Sequence, residues 1–257
     1  MNNSLKGQIA LVTGGTKGIG KAIAATLSNA GAEVIVSART APAESVPGQH
    51  FIPADLTQPE SAERLAKEIL EQYGKIDIIV NNAGANLSPG GGFSVLSEEH
   101  WNSDWQLNFM SAVRVNKALL PTMIEQKSGV IINVSTGAAK LPIWEMTMSY
   151  SSAKAALNAY SKALANEVAI KGIRVNVVSP GVVKTPLMSE FIDNLAHSSS
   201  ISPEEAYQSV MDKVNVPMGR MAESEEVANL VAFLVSPGAK YIAGVNYSID
   251  GGAFPAV

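Results

Sequence analysis

Residues 8–20 read Gln8-Ile9-Ala10-Leu11-Val12-Thr13-Gly14-Gly15-Thr16-Lys17-Gly18-Ile19-Gly20, an apolar run that passes without a linker into a glycine-rich turn. The run has the composition of a strand covered on both faces. Beyond the turn, Ile19, Ile23 and Leu27 recur every four residues, which predicts a helix over Gly18–Ala30, with Gly31 placed to stop it. Glycines allow a tight turn and a close backbone approach to a ligand. The free N–H groups and positive dipole end of the following helix suit a pyrophosphate. The spacing is Gly14-x₃-Gly18-x-Gly20. It is not Gly-x-Gly-x-x-Gly, and it lacks the Gly-Lys-Ser/Thr ending of a nucleoside-triphosphate loop. A turn packed closely on a sheet would carry the same glycines, so other segments have to agree.

Working outward, the same alternation repeats. Strands are predicted at Gln8–Thr13, Glu33–Ala38, His50–Pro53, Ile76–Val80, Val130–Val134, Ile173–Val178 and Val245–Ile249. Helical patterns lie between them, including Glu60–Tyr73 and the long alanine-rich Ser149–Ile170. Strands alternating with helices imply βαβ units and a parallel sheet. Two segments, Ala85–Gly92 and Val182–Ser202, read as irregular, and long loops in compact domains are more often functional than accidental. No linker or repeat divides the chain, so residues 1–257 are read as one domain.

Composition narrows the function. At 46% hydrophobic and 16% charged residues the chain can bury a large core. It has no cysteine, which excludes disulfides, a thiol nucleophile and thiolate metal sites. The net charge of −4 argues against an electrostatic grip on nucleic acid. The polar start Met1–Gly7 has no apolar signal core, and no run reaches the roughly 18 apolar residues of a membrane span. A soluble cytoplasmic protein is expected. His50, His100 and His197 are scattered with no i, i+4 pair, so no metal site is expected, and His197 reads as a solvated loop residue.

The second predicted strand ends Ala38-Arg39-Thr40, with no carboxylate at its tip. In nicotinamide-binding folds an acidic residue there grips the ribose, whereas an arginine accommodates a 2′-phosphate. Arg39, with Lys17 in the glycine turn, therefore favours NADP(H) over NAD(H), against the plainer reading of two solvated cations. Tyr150 and Lys154 stand four apart on a predicted helix and share a face. A free phenol has a pKa near 10, and a nearby ammonium moves it toward the working range. Alone, this pair would mark an ordinary helix surface.

Taken together, TGGTKGIG (13–20), Asp55-Leu56, NNAG (81–84), Asn108, VST (134–136), YSSAK (150–154), Asn176, PG (180–181) and Thr185 resemble the short-chain dehydrogenase/reductase family. The resemblance covers Gly7 to Gly252. It implies an α/β fold: a single Rossmann-like doubly wound domain with a seven-stranded parallel sheet, order 3-2-1-4-5-6-7, and helices on both faces. It implies that Tyr150 protonates a substrate carbonyl while Lys154 lowers the tyrosine pKa and holds the nicotinamide ribose. Asn108 would hold a water linking Lys154 to solvent. Gly14, Thr16, Lys17, Gly18, Ile19 and Gly20 would cradle the pyrophosphate, with Arg39 and Thr40 at the adenosine phosphate. Asp55 and Leu56 would border the adenine, and Asn82, Ala83 and Gly84 the adenosine ribose. Pro180, Gly181, Val183 and Thr185 would flank the carboxamide.

One position departs from the family pattern, which places a serine some 13 residues before the tyrosine. Here Ser135 and Thr136 compete for the substrate-orienting role. Both are hydroxyl donors, and register favours Thr136. The lid over the substrate is expected around 182–215, with Met188, Phe191, Ile192 and Leu195 at helical spacing and Trp144 contributing before Tyr150. These apolar residues could equally pack against the domain body. The expected activity is reduction of an apolar ketone or 3-oxoacyl thioester. The alternatives are a predominantly oxidative alcohol or sugar dehydrogenase and a non-catalytic nucleotide-binding protein. A homotetramer is expected, a dimer being the alternative.

Overall fold

A computed structural model describes residues 4–42, 46 and 48–254, so the first three residues of the polar start lie outside the described residues. In chain order the elements are β1 (Ile9–Thr13), α1 (Gly18–Asn29), β2 (Glu33–Ala38), β3 (Gln49–Pro53), α2 (Pro59–Tyr73) and β4 (Ile78–Asn81). Next come α3 (Glu98–Trp105), a π-helical turn over Gln106–Met110, α4 (Ser111–Gln126), β5 (Gly129–Val134) and α5 (Trp144–Val168). The chain continues with β6 (Ile173–Pro180), β7 (Val183–Lys184), α6 (Pro186–Ser199), α7 (Pro203–Val214), β8 (Ala222–Glu223), α8 (Ser224–Val235) and β9 (Asn246–Ile249).

Seven strands form one sheet in the order β3-β2-β1-β4-β5-β6-β9, with every pairing parallel. This is the doubly wound sheet and strand order that the resemblance implies. The seventh strand is β9 only because β7 and β8 pair separately, Val183 with Ala222 and Lys184 with Glu223.

Successive side chains of a strand face opposite ways, and here both ways lead to a core. Ala10, Val12, Val34, Val36, Ile78 and Val80 pack with α1 and α8 on one face. Ile9, Leu11, Ile35, Ile79 and Ile131 pack with α2, α4 and α5 on the other. That is why the strands read as continuous aliphatic runs rather than alternating ones.

Most element bounds fall within one or two residues of those expected above, and two segments differ more. The stretch 182–202 is mostly helix: Pro186 occupies the first turn of α6, and the Thr185 hydroxyl accepts the Met188 N–H at 3.2 Å as its cap. Helix α5 starts at Trp144 rather than Ser149, and Thr147 leaves helical geometry (φ −132°, ψ 15°), so the straight part begins just before Tyr150. Helices α6 and α7 enclose a small core of their own, in which Val210, Met211 and Met221 pack with Phe191, Ile192 and Leu195. Among the described residues, no helix is long and apolar enough to cross a membrane.

Candidate active site

The carboxyl ends of β1, β4, β5 and β6 open onto one cleft of about 710 Å³. Its floor begins at the glycine turn. Lys17 precedes α1 without offering a side-chain cap, which leaves the first N–H groups of the helix free of side-chain acceptors. Gly20 tolerates no side chain, because a Cβ would lie 2.1 Å from the Gly14 carbonyl oxygen. Asn82 clamps the turn to β4: its side-chain amide donates to the carbonyls of Thr13 (3.1 Å) and Gly14 (3.2 Å). The Thr13 hydroxyl in turn accepts the N–H groups of Asn82 and Ala83, both at 3.0 Å.

Tyr150 and Lys154 lie on the straight part of α5 and both line the cleft. The Tyr150 hydroxyl pairs with the Thr136 side chain. Ser135 also lines the cleft, but its buried hydroxyl is turned to the Lys154 carbonyl at 3.5 Å. The Lys154 ammonium is 2% exposed and donates to the Val134 carbonyl at 2.9 Å. Burial lowers its pKa to about 8. Burial pushes Tyr150 up to about 12, the Asp104 charge adds to the rise, and the bond from Thr136 opposes it.

Asn108 sits in the π-helical turn, behind the cleft rather than in its lining. Its side chain grips the Ala85 backbone on both sides, accepting the N–H at 3.0 Å and donating to the carbonyl at 2.8 Å. Gly84 fits between the two groups. A Cβ there would stand 2.8 Å from the Asn108 Oδ1 and 2.9 Å from the Lys154 Nζ.

Of the other expected residues, Gly14, Lys17, Gly18, Ile19, Gly20, Asn82, Ala83, Gly84, Pro180, Gly181, Val183, Thr185, Met188 and Phe191 line the cleft. Thr16, Arg39, Thr40, Asp55 and Leu56 are outside its wall. Arg39 and Thr40 are exposed at the end of β2, and the Asp55 carboxylate closes its own turn by accepting from Thr57. Trp144 is not brought to the cleft, since its ring covers Gly92 and is 61% exposed; Ile192 points into the small core under α6. His197 is exposed on α6 and outside the cleft, His50 pairs with Glu33 at 2.5 Å, and His100 caps α3 with Ser97. Asn176 ties β6 to the segment before β9, bonding Ile242 and Val245.

Sequence reasoning missed part of the wall. Asn86, Glu190, Asn194, Lys213 and Phe254 also line the cleft, and Lys213 reaches Glu145 of α5 at 3.3 Å. Glu190 and Asn194 lie on the exposed side of α6 and Lys213 on that of α7, which is indistinguishable from an ordinary solvated face, while Asn86 and Phe254 belong to irregular segments with no periodic signal.

A doubly wound sheet with a glycine-lined crevice and a tyrosine–lysine pair at its mouth defines an oxidoreductase class. Residues 14–253 match the family model described as enoyl-(acyl carrier protein) reductase. The chain is 37% identical to the 3-oxoacyl-[acyl-carrier-protein] reductase FabG of Haemophilus influenzae, over 97% of this chain and 99% of that one. It is 34% identical to the FabG of Vibrio cholerae, over 98% and 99%. Among solved structures, L-sorbose reductase of Gluconobacter frateurii, complexed with NADPH and L-sorbose, superposes with a TM-score of 0.90 at 31% identity and full coverage of both chains. Aldohexose dehydrogenase of Thermoplasma acidophilum, ligand-free, gives 0.89 at 28% identity, covering 100% of this chain and 98% of that one. The chain belongs to the short-chain dehydrogenase/reductase family and is an oxidoreductase.

Proposed function

We propose that the protein is an NADP(H)-dependent reductase acting on the carbonyl of an apolar ketone or a 3-oxoacyl thioester. The observation that carries this reading is the pairing of the Tyr150 and Thr136 hydroxyls where the glycine-lined half of the cleft meets the half walled by Leu141, Ile143, Met146, Leu187, Met188 and Phe191. The sequence relatives named for 3-oxoacyl reduction and the NADPH-complexed structural neighbour support it.

The residues present fit the cofactor. Close backbone packing at Gly20 and uncapped N–H groups at the start of α1 make a cradle for a pyrophosphate. Gly14, Thr16, Lys17, Gly18, Ile19 and Gly20 hold that group, and the exposed Arg39 with Thr40 meets the 2′-phosphate. Asp55, Leu56, Asn82, Ala83 and Gly84 border the adenosine; Pro180, Gly181, Val183 and Thr185 border the carboxamide. When bound, the reduced nicotinamide supplies the hydride. Tyr150, fully protonated at neutral pH, then donates to the carbonyl oxygen, while Thr136 hydrogen-bonds that oxygen and orients it. The buried Lys154 ammonium steadies the negative charge left on the phenolate and holds ribose hydroxyls. Asn108 holds the backbone at Ala85, which fixes the wall beside Lys154. Residues 1–257 act as one catalytic domain whose lid, 182–215, closes over substrate. The enzyme works in the cytoplasm as a homotetramer.

A sugar or polyol substrate is the second reading. Asn86, Glu190, Asn194 and Lys213 offer polar contacts at the far end of the cleft, and two structural neighbours are sugar enzymes by name.

Incubating purified protein with NADPH and a panel of ketones, 3-oxoacyl thioesters and ketoses, while following the cofactor's near-ultraviolet absorbance, decides between them. Tyr150→Phe should lower kcat by roughly 10²–10⁴-fold with NADPH binding kept. Full turnover by that variant would remove the assigned acid, and turnover of ketoses alone would favour the second reading.

A further inference from the structure

Asp104 is 0% exposed, and the hydrogen-bond partners the structure gives it are all neutral. Its Oδ1 accepts the Leu87 N–H at 3.0 Å and the Asn108 side-chain amide at 3.4 Å. Its Oδ2 accepts the Ser88 hydroxyl at 2.6 Å and the Ser149 hydroxyl at 2.5 Å, and the two serine oxygens are 2.8 Å apart. A buried carboxylate without a cation is a costly way to fill space, since an apolar side chain would avoid the desolvation penalty. The origin of its partners is informative. Leu87 and Ser88 belong to the segment after β4, Asn108 to the π-helical turn, and Ser149 to α5 immediately before Tyr150.

We propose that Asp104 is a positioning residue for the reduction, locking Ser149, and with it the part of α5 that carries Tyr150, against Asn108 and the segment after β4. The proposal rests on the reductase reading above. It has an electrostatic corollary. The charged groups around the phenol are Lys154 on the same helix, Asp104 behind it, and the cleft-lining Lys17, Glu190, Lys213 and Asp250. Of the three anions only Asp104 is wholly out of water, so its charge acts on the phenol with the least screening. A negative charge there opposes loss of the Tyr150 proton, which holds that group in the form that reduction consumes.

Asp104→Asn keeps the shape and removes the charge, whereas Ser149→Ala keeps the charge and removes the tie. Both should lower kcat about ten-fold or more, with KM for NADPH nearly unchanged. Asp104→Asn alone should shift the acidic limb of alcohol oxidation about one unit to lower pH, because phenolate then forms more readily. A second readout is the tyrosine ¹³Cζ NMR resonance that disappears in Tyr150→Phe. Its titration should move to lower pH in Asp104→Asn and stay in place in Ser149→Ala. Wild-type kcat in both variants, or an Asp104→Asn resonance that titrates as in the parent, overturns the proposal. Should Asp104→Asn fail to fold, Ser149→Ala combined with Ser88→Ala carries the test, and unchanged kcat refutes it. If the parent protein turns over no substrate, the reductase reading fails, while the resonance still decides the role of Asp104.

Discussion

A single methyl group at residue 84 would enter space held by the Asn108 amide oxygen and the Lys154 ammonium, each within 3 Å of where it would sit. Neither can withdraw freely, because Asn108 grips Ala85 and Lys154 is bonded to Val134. Gly84→Ala should therefore cut kcat/KM by about 100-fold while far-ultraviolet circular dichroism stays native. Arg39 shows the opposite geometry. It is exposed at the strand tip and outside the cleft lining, and the proposed role there is to meet the adenosine end of the cofactor. Arg39→Asp should move the kcat/KM ratio from NADPH toward NADH with little effect on kcat, and an unchanged ratio would refute the 2′-phosphate assignment. Both residues were singled out from their motifs. Asp104 was not, although it stands four residues before Asn108 on the same helical face. Nothing in a lone acidic residue distinguishes a buried carboxylate from a solvated one.

At the scale of elements, legibility followed the regularity of burial. Strands covered on both faces leave aliphatic runs that cannot be mistaken, and β2 has the bounds its composition predicts. The helices over residues 98–126 gave no comparable signal, because their buried face includes Asp104, Asn108, Ser111 and Asn116 beside Val115 and Leu119. Residues 182–202 read both as irregular chain and, at Met188, Phe191, Ile192 and Leu195, as helical spacing; the structure resolves this as α6, capped by Thr185 with Pro186 in its first turn, followed by α7 from Pro203. The value of the central strands can be measured. Ile79 is 0% exposed in β4, with α2, α4 and α5 over it, so Ile79→Ala leaves a cavity the sheet cannot close. Urea unfolding should show a loss of about 2–5 kcal/mol.

For the molecule as a whole, the buried Lys154 sets a pH dependence. Its pKa of about 8 means that the ammonium is present below that pH and lost above it. The proposed reduction uses the charged form, so kcat/KM for NADPH, which reports ionisations of the free enzyme, should fall as pH rises through about 8. A profile flat to pH 10 would place the charge requirement elsewhere. The same shift bears on stability with a definite sign. Between about 8 and the ordinary lysine value of 10.5 the unfolded chain holds a proton that the folded chain has released, so Lys154 adds stability as pH rises through that window. The sequence by itself determined the parallel sheet, the glycine turn and the tyrosine–lysine pair, because local spacing and periodicity encode them. Only the tertiary structure decided that Thr136 meets the phenol, that Trp144 and Ile192 turn away, and that Asp104 is sealed behind the site. Those outcomes depend on which distant segments share a low-dielectric interior, and no local pattern records that.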